Sequence, residues 1–214
     1  MAPDDGREYV LYLAWFGPGL IKIGLTAADR GRDRLLEQGS ITFTMLAAGP
    51  YAAVRQAEQA ASTAGLASER ITARSKIAAW PKLPAPQERA ELLAAARDRL
   101  TSHFSWPHQI RLMPGGVSDQ AQDFGLTEQV PDSWQEVTAI RDGGILAGQI
   151  RFVVGRHLLL DTSAGPLLCD MRRAAGRVIR LVPGTGRLPV PAGLGLVDRS
   201  TPGGRRDDGQ QPLF

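Results

Sequence analysis

The sequence reads Tyr9-Val-Leu-Tyr-Leu-Ala14, then Phe16-Gly-Pro-Gly19, then Leu20-Ile-Lys-Ile-Gly-Leu25. Two β-rich runs around a glycine and proline turn are typical of a β-hairpin. A turn centred on Gly17 predicts that Tyr12 lies opposite Lys22, and the two-residue period of strands places both side chains on the less apolar face. The alternate positions form a continuous apolar surface, which we predict to be the core face.

Working outward from the hairpin, apolar periodicity predicts three helices and several strands. Residues 68–86 contain three prolines and are predicted to be mostly irregular. The predicted helices are Asp29–Gln38, Tyr51–Leu66 and Gln87–Phe104. The predicted strands are Phe43–Ala48, Ile145–Ile150, Phe152–Val154, His157–Asp161, Leu167–Asp170 and Val178–Val182. The pattern predicts an α+β fold, in which a small three-stranded sheet with flanking helices precedes a small C-terminal β-meander or barrel.

Charge and composition divide the chain further. Residues 111–140 hold one arginine and five carboxylates, whereas residues 141–187 hold eight arginines and three carboxylates. We therefore predict a domain with a helical extension at 7–105, an acidic connector at 106–140 and a β domain at 141–198. Residues 199–214 are rich in turn-forming and charged residues and are predicted to be a disordered tail.

The overall composition excludes several classes of protein. The 214 residues are 43% hydrophobic and 22% charged, which is typical of a folded soluble chain. The net charge of +3 does not indicate a polycation that coats DNA. The single cysteine, Cys169, excludes an intrachain disulfide framework and a multi-thiolate zinc site. No long apolar run is present, so we expect a cytoplasmic protein without a membrane partner.

Charged residues near the hairpin are the candidate functional groups. An ammonium close to Tyr12 would favour the phenolate and lower the phenol pKa, although periodicity alone favours a tyrosine and a lysine simply paired on a solvated sheet face. Arg30 and Arg34 lie four residues apart on one helix face, and Arg34 also lies three residues before Glu37. Glu58 follows Arg55 at the same three-residue spacing, so its simplest interpretation is an exposed ion pair.

The order of these residues resembles the GIY-YIG nuclease superfamily. The matching parts are Leu11-Tyr12, Lys22-Ile-Gly24-Leu-Thr26, Arg34-Leu-Leu-Glu-Gln-Gly39 and Glu58. Within it, the chain is most similar to the uncharacterised domain-of-unknown-function family twenty-seven ninety-seven. That likeness includes Gly143-Gly-Ile-Leu-Ala-Gly148, His157-Leu-Leu-Leu-Asp161 and Asp170-Met-Arg-Arg173, and it extends from residue 9 to about residue 182.

The resemblance implies metal-dependent phosphodiester hydrolysis on nucleic acid. By this resemblance Tyr12 orients or deprotonates the attacking water, Arg34 stabilises charge on the phosphate, and Glu58 holds a divalent cation, magnesium or manganese. Lys22 stands where the superfamily's second signature has tyrosine, and it joins the predicted catalytic set. Arg30 and Thr26 are the predicted substrate-binding residues.

Two other functions remain open from the sequence. One is a non-cleaving module that binds nucleic acid or another partner through the same face. The other is an enzyme that acts on a small anionic or nucleotide-like metabolite. The exposed edge of the predicted C-terminal meander also leaves a homodimer open.

Overall fold

The computed structural model describes residues 6–65, 67–68, 70–127, 129–182, 184 and 188–200. Within these residues the chain forms helices and two separate β-sheets, which confirms the α+β prediction. The α-helices are α1 (Gly31–Gln38), α2 (Tyr51–Thr63), α3 (Ala73–Ala79) and α4 (Pro86–His103). The strands are β1 (Glu8–Trp15), β2 (Ile21–Ala27), β3 (Thr42–Pro50), β4 (Arg111–Leu112), β5 (Val117–Asp119), β6 (Ser133–Ile145), β7 (Gln149–Val154), β8 (His157–Thr162), β9 (Gly165–Asp170) and β10 (Ala192–Ser200).

The first sheet is built on the predicted hairpin. In the described residues its order is β2-β1-β3-β4, and β5 also pairs with β3, all antiparallel. The predicted register is wrong by two residues, because Tyr12 pairs with Gly24 and Lys22 pairs with Ala14. Since a shift of two keeps every side chain on its own face, Tyr12 and Lys22 still lie on the same face of the sheet.

Both faces of this sheet are covered by helices. Helices α2 and α4 pack over the predicted core face, where Leu11, Leu13 and Ile23 are fully buried. On the opposite face, Leu35 of α1 packs against a second cluster that contains Tyr12. The face predicted to be less apolar is therefore also a packed interior, and Tyr12 is only 1% exposed.

The region predicted to be an acidic connector takes part in both sheets. Strands β4 and β5 pair with β3, so they extend the predicted three-stranded sheet. The buried Arg89 donates hydrogen bonds to both carboxylate oxygens of Asp119, at 2.8 and 2.9 Å, and this pair ties α4 to β5. Strand β6 begins at Ser133, before the predicted start of the C-terminal unit at residue 141.

The second sheet has the order β10-β6-β9-β8-β7 in the described residues. Strands β7, β8 and β9 form the predicted meander, while β6 and β9 are parallel. The prediction of a strand at Val178–Val182 is wrong: these residues belong to no strand, and their apolar side chains are exposed instead of packed in a core. We also did not predict β10, whose glycine-containing sequence is held by backbone pairing with the thirteen-residue β6. Residues 199–200 of the predicted tail belong to β10, and residues 201–214 lie outside the described residues.

The prediction that residues 68–86 are mostly irregular is also wrong. Helix α3 begins after Thr72, whose hydroxyl accepts a hydrogen bond from the backbone N–H of Ser75 and caps the helix. A 3-10 turn at Trp80–Lys82 follows, and Trp80 is buried against Phe152 and His157 of the second sheet. Burial of this indole gives the segment tertiary support that propensity alone does not reveal.

One apolar core continues from the first sheet into the second. The same cluster contains Leu11 and Leu13 of β1, Trp80, and Phe152 and Leu159 of the second sheet. Close packing of helix α1 against β7 brings the two sheets together near Gln38. The predicted division of the chain into units at 7–105, 106–140 and 141–198 stays a prediction.

Candidate functional site

Tyr12 lies at the centre of the candidate site. We call this the Tyr12 site, and it also includes Lys22, Gly24, Arg34, Gln38 and Glu58. Its phenol crosses the neighbouring strand over Gly24, where a β-carbon would lie 2.5 Å from the Tyr12 oxygen. A strand glycine often marks a place where another group approaches closely, and here that group is the phenol. Position 24 therefore requires glycine for steric reasons.

Gln38, the last residue of α1, links Tyr12 with Lys22. The Gln38 Nε2 atom donates a hydrogen bond to the Tyr12 hydroxyl oxygen at 2.9 Å. The Lys22 Nζ atom donates to Gln38 Oε1, also at 2.9 Å. Sequence reasoning missed Gln38, although it lies four residues after Arg34 and therefore on the same face of α1.

The electrostatics of Tyr12 differ from the sequence prediction. Burial raises the pKa of the phenol above its usual value of 10.0 and outweighs the hydrogen bond from Gln38 and the positive charge of Arg34, which act in the opposite direction. Glu58 acts with burial and raises the pKa further. The expected lowering by Lys22 is therefore wrong: the Tyr12 phenol is neutral at pH 7 and is available as a proton donor.

The two predicted arginines of the α1 region share one acidic partner. Arg30 donates a hydrogen bond to Glu37 at 2.6 Å, while Arg34 contacts the other carboxylate oxygen of Glu37 at 3.5 Å. Both side chains are about half exposed, at 53% for Arg30 and 46% for Arg34. Arg34 thus retains solvent access next to Tyr12, which is needed if it is to meet a phosphate.

Glu58 is buried, which corrects the expectation of an exposed ion pair. Its side chain is 9% exposed and accepts a hydrogen bond from Arg55, one turn earlier on α2. Helix α2 packs against β1 and β2, and the Glu58 charge reaches the Tyr12 phenol. Thr26 is also buried, opposite Val10 on the face that carries Tyr12.

Glu58 is the residue that could hold a divalent cation. The described residues contain no cluster of three or more histidine, cysteine, aspartate or glutamate side chains. A single carboxylate still fits magnesium, because this ion commonly keeps several waters and takes further oxygens from a phosphate. Arg55 donates a hydrogen bond to one carboxylate oxygen of Glu58, so a cation held by Glu58 would lie close to this guanidinium.

A cleft opens beside Tyr12, between α1, α3 and the turn that joins β7 to β8. We call it the α1–α3 cleft. Its volume is about 370 Å³. It is lined by Arg34, Glu37, Gln38, Ile71, Ala73, Lys76, Trp80, Val154, Arg156 and His157. Sequence reasoning did not include Lys76 or Arg156, because long-range packing of the two sheets brings these residues to α1.

Lys76 occupies the floor of the α1–α3 cleft. Its ammonium donates a hydrogen bond to the Gln38 carbonyl at 2.8 Å and lies 3.7 Å from the centre of the Phe16 ring. Burial lowers the Lys76 pKa to about 8, with further lowering from the positive charges of Lys22, Arg156 and Arg34. The cleft is therefore a region of concentrated positive charge.

On the opposite wall, Arg156 is held by Asp170 at the end of β9. The Arg156 Nε atom lies 2.9 Å from both carboxylate oxygens, and Arg172 donates to the same carboxylate. Burial would raise the Asp170 pKa, but the hydrogen bonds from Arg172 and Arg156 prevail and hold it at about 2. Burial lowers the pKa of the neighbouring His157, so this imidazole is neutral at pH 7.

A second cavity, of about 790 Å³, lies between the 3-10 turn at Trp80–Lys82 and residues 119–130. Its charged lining residues are Arg89 and Asp119, which are hydrogen bonded to each other. Leucine, proline and alanine side chains form much of the remaining wall. This cavity is therefore a weaker candidate for binding an anion than the α1–α3 cleft.

Comparison with known proteins identifies the family. No curated protein and no solved structure is matched by the chain. Among the described helices, none has the length and apolar character required to cross a membrane. The family model described as "Protein of unknown function (DUF2797)" matches residues 3–179, which include both sheets up to the end of β9, the Tyr12 site and the α1–α3 cleft. The chain belongs to the DUF2797 family, in agreement with the resemblance inferred from its sequence.

Proposed function

We propose that this protein hydrolyses phosphodiester bonds in nucleic acid, with a divalent cation, as a member of the GIY-YIG superfamily. One observation carries the proposal: Gln38 on α1, one turn after Arg34, donates a hydrogen bond to the Tyr12 hydroxyl oxygen at 2.9 Å. Lys22 joins the same group through Gln38. Residues of β1, β2 and α1 thus lie together, and Glu58 follows on α2, which is the order that the resemblance to the superfamily implies.

The hydrogen bonds around Tyr12 favour a role in orienting water. The phenol oxygen accepts from Gln38, so its own proton remains available for donation to a water or a phosphate oxygen. Because the raised pKa keeps this proton in place at pH 7, Tyr12 orients the attacking water and does not deprotonate it in the resting site. Lys22 fixes the Gln38 amide so that its N–H group points to the phenol.

Arg34 and Glu58 complete the proposed chemistry. The half-exposed guanidinium of Arg34 can donate in a plane to the phosphate and stabilise charge that develops during attack. Glu58 would hold the cation, which supplies Lewis-acid activation of the phosphate. Arg30 and Thr26 stay predicted substrate-binding residues; the exposed Arg30 is the more accessible of the two.

Two features favour a non-cleaving nucleic-acid-binding module as a second candidate. Tyr12 is nearly inaccessible, and the carboxylate of Glu58 is already bonded to Arg55. A protein that has lost catalysis would retain the positive charge near α1 and bind nucleic acid in a salt-dependent way without turnover.

Cleavage assays with matched variants test the proposal. Labelled single-stranded and double-stranded DNA and RNA are incubated with magnesium or manganese and the full chain. We expect Glu58→Gln and Tyr12→Phe each to reduce the cleavage rate by about 100-fold or more, since each removes a group from the reacting centre. Tyr9→Phe on the same strand and Glu88→Gln on α4 serve as controls and should retain the parental rate.

The outcomes separate the candidates. Equal cleavage by the parent chain and both site variants would contradict the proposed site. Absence of cleavage together with salt-dependent binding of oligonucleotides would favour the non-cleaving module. A change of melting temperature with mononucleotides but not with oligonucleotides would favour an enzyme for a small nucleotide-like metabolite.

A further inference from the structure

The α1–α3 cleft is formed by an unusually close approach of two backbone segments. Gly39 ends α1 with a φ of +69°, and a β-carbon there would lie 2.8 Å from Val154. Gly155 in the β7–β8 turn has a φ of +56°, and a β-carbon there would lie 2.8 Å from the Glu37 carbonyl oxygen. Glycine at both positions permits this contact and brings Arg156 to the same opening as Arg34.

Positive charge exceeds negative charge around this opening. Arg34 shares the carboxylate of Glu37 with Arg30, and Arg156 shares the carboxylate of Asp170 with Arg172. Glu37 and Asp170 are therefore each paired with two guanidinium groups.

The third cation, Lys76, is in contact with neutral groups, the Gln38 carbonyl and the Phe16 ring. Partial burial of the Lys76 ammonium near other cations opposes folding and lowers the Lys76 pKa. An anion bound in the cleft would offset this cost by pairing with the Lys76 ammonium. The cleft thus has the charge, the donors and the volume suited to a phosphate group.

We propose that the α1–α3 cleft binds a phosphate group of the nucleic-acid strand, next to the phosphodiester that is hydrolysed, through Arg34, Lys76 and Arg156. The identity of the strand rests on the proposed function. Arg34 lines the cleft and lies one turn before Gln38, which is hydrogen bonded to Tyr12, so its guanidinium can contact both the hydrolysed phosphodiester and the neighbouring phosphate. The second sheet, through Arg156, thereby becomes part of the substrate-binding surface.

Binding can be measured separately from cleavage. Fluorescent single-stranded DNA and RNA oligonucleotides are titrated with the full chain carrying Glu58→Gln, in the presence of a metal chelator. We expect Lys76→Met and Arg156→Gln each to weaken binding about tenfold. Each should also reduce the slope of log affinity against log salt concentration by about one, because one phosphate contact is lost.

The chain offers a matched control for each variant. Lys82→Met removes an exposed lysine just after α3, outside the cleft lining. Arg172→Gln removes the other arginine that donates to Asp170, also outside that lining. Both controls should bind the oligonucleotide as the parent does. Lys76→Arg, which keeps the positive charge, should recover most of the affinity lost in Lys76→Met.

Several results would overturn the inference. Parental affinity in both Lys76→Met and Arg156→Gln would do so, as would an equal loss in the two controls. Binding of inorganic phosphate or a nucleoside monophosphate that depends on these residues, while oligonucleotide binding does not, would exclude the strand as the ligand. Dependence of oligonucleotide binding on both residues supports the inference even if the parent chain cleaves no nucleic acid, and the proposed hydrolysis then fails alone.

Discussion

The Tyr12 site and the α1–α3 cleft share Arg34 and Gln38, yet they differ in how their buried polar groups are paired. At the Tyr12 site a buried phenol receives a hydrogen bond from Gln38, and the carboxylate of Glu58 is paired with Arg55. In the cleft, Lys76 is partly buried among other cations and contacts neutral groups. The first arrangement is satisfied within the chain, whereas the second is suited to an external anion.

This difference indicates a different role for each region. The satisfied groups of the Tyr12 site hold a fixed geometry, which is useful for orienting a water molecule. The cleft instead gains favourable interactions when an anion arrives, so it is suited to binding. Mutations at the two regions should therefore separate turnover from affinity, and the following predictions test that separation.

The largest effect is expected for Gly24→Ala at the Tyr12 site. The new methyl group would lie 2.5 Å from the phenol oxygen, so the rigid ring or the strand must move. We expect a loss of about 1–3 kcal/mol in the free energy of unfolding, measured by urea denaturation. In the proposed enzyme, displacement of Tyr12 should lower the cleavage rate while oligonucleotide affinity changes little.

A double-mutant cycle checks the cause of that loss. Gly24→Ala in a Tyr12→Ala background should cost much less stability, because the phenol that would clash is absent. Equal costs in the two backgrounds would show that the methyl group disturbs something other than Tyr12.

A smaller effect is expected for Gln38→Leu, which removes the link between Tyr12 and Lys22. Loss of these hydrogen bonds should reduce the free energy of unfolding by about 1–2 kcal/mol. It should also raise the pKa of the Tyr12 phenol further, since the Gln38 hydrogen bond opposes the effect of burial. Ultraviolet titration of tyrosine, with Tyr12→Phe as the reference, measures this change. An unchanged or lowered phenol pKa would contradict the assigned hydrogen bond.

Local sequence patterns were sufficient to predict much of the first sheet. The hairpin, α1, β3, α2 and α4 follow from runs of strand-forming residues and from helical spacing of apolar residues. The predicted register is wrong because the turn is centred on Pro18 and not on Gly17: Trp15 pairs with Ile21. The prediction that Tyr12 and Lys22 share a face is still correct, because side chains alternate along a strand and a register shift of two residues leaves each on its own face.

Features that depend on distant partners were harder to predict. Strand β10 pairs with β6 along most of that long strand, whereas the apolar run Val178–Val182 pairs with no strand and is exposed. The α1–α3 cleft combines residues more than 100 positions apart, such as Arg34 and Arg156, through contact of α1 with the β7–β8 turn. Short-range periodicity contains no information about such contacts.

The third prediction concerns Lys76 and has the smallest effect on stability, of opposite sign to the others. Lys76→Met should increase the free energy of unfolding at pH 7 by about 1 kcal/mol, because a partly desolvated ammonium is replaced by an apolar side chain of similar length. Oligonucleotide affinity should fall in the same variant. If Lys76 contributed only to stability, its replacement would not raise stability and lower affinity together.

The pH dependence of the free energy of unfolding tests independently whether the Lys76 charge destabilises the fold. The Lys76 pKa is about 8 in the folded chain, against an ordinary lysine value of 10.5, so between these values the unfolded state binds more protons than the folded state. The parent should therefore gain stability relative to Lys76→Met as the pH rises from 8 to about 10.5. Urea denaturation of both chains at about pH 7 and about pH 10 measures this convergence. A difference in stability that stays constant with pH would show that Lys76 is not buried as a cation among Lys22, Arg34 and Arg156.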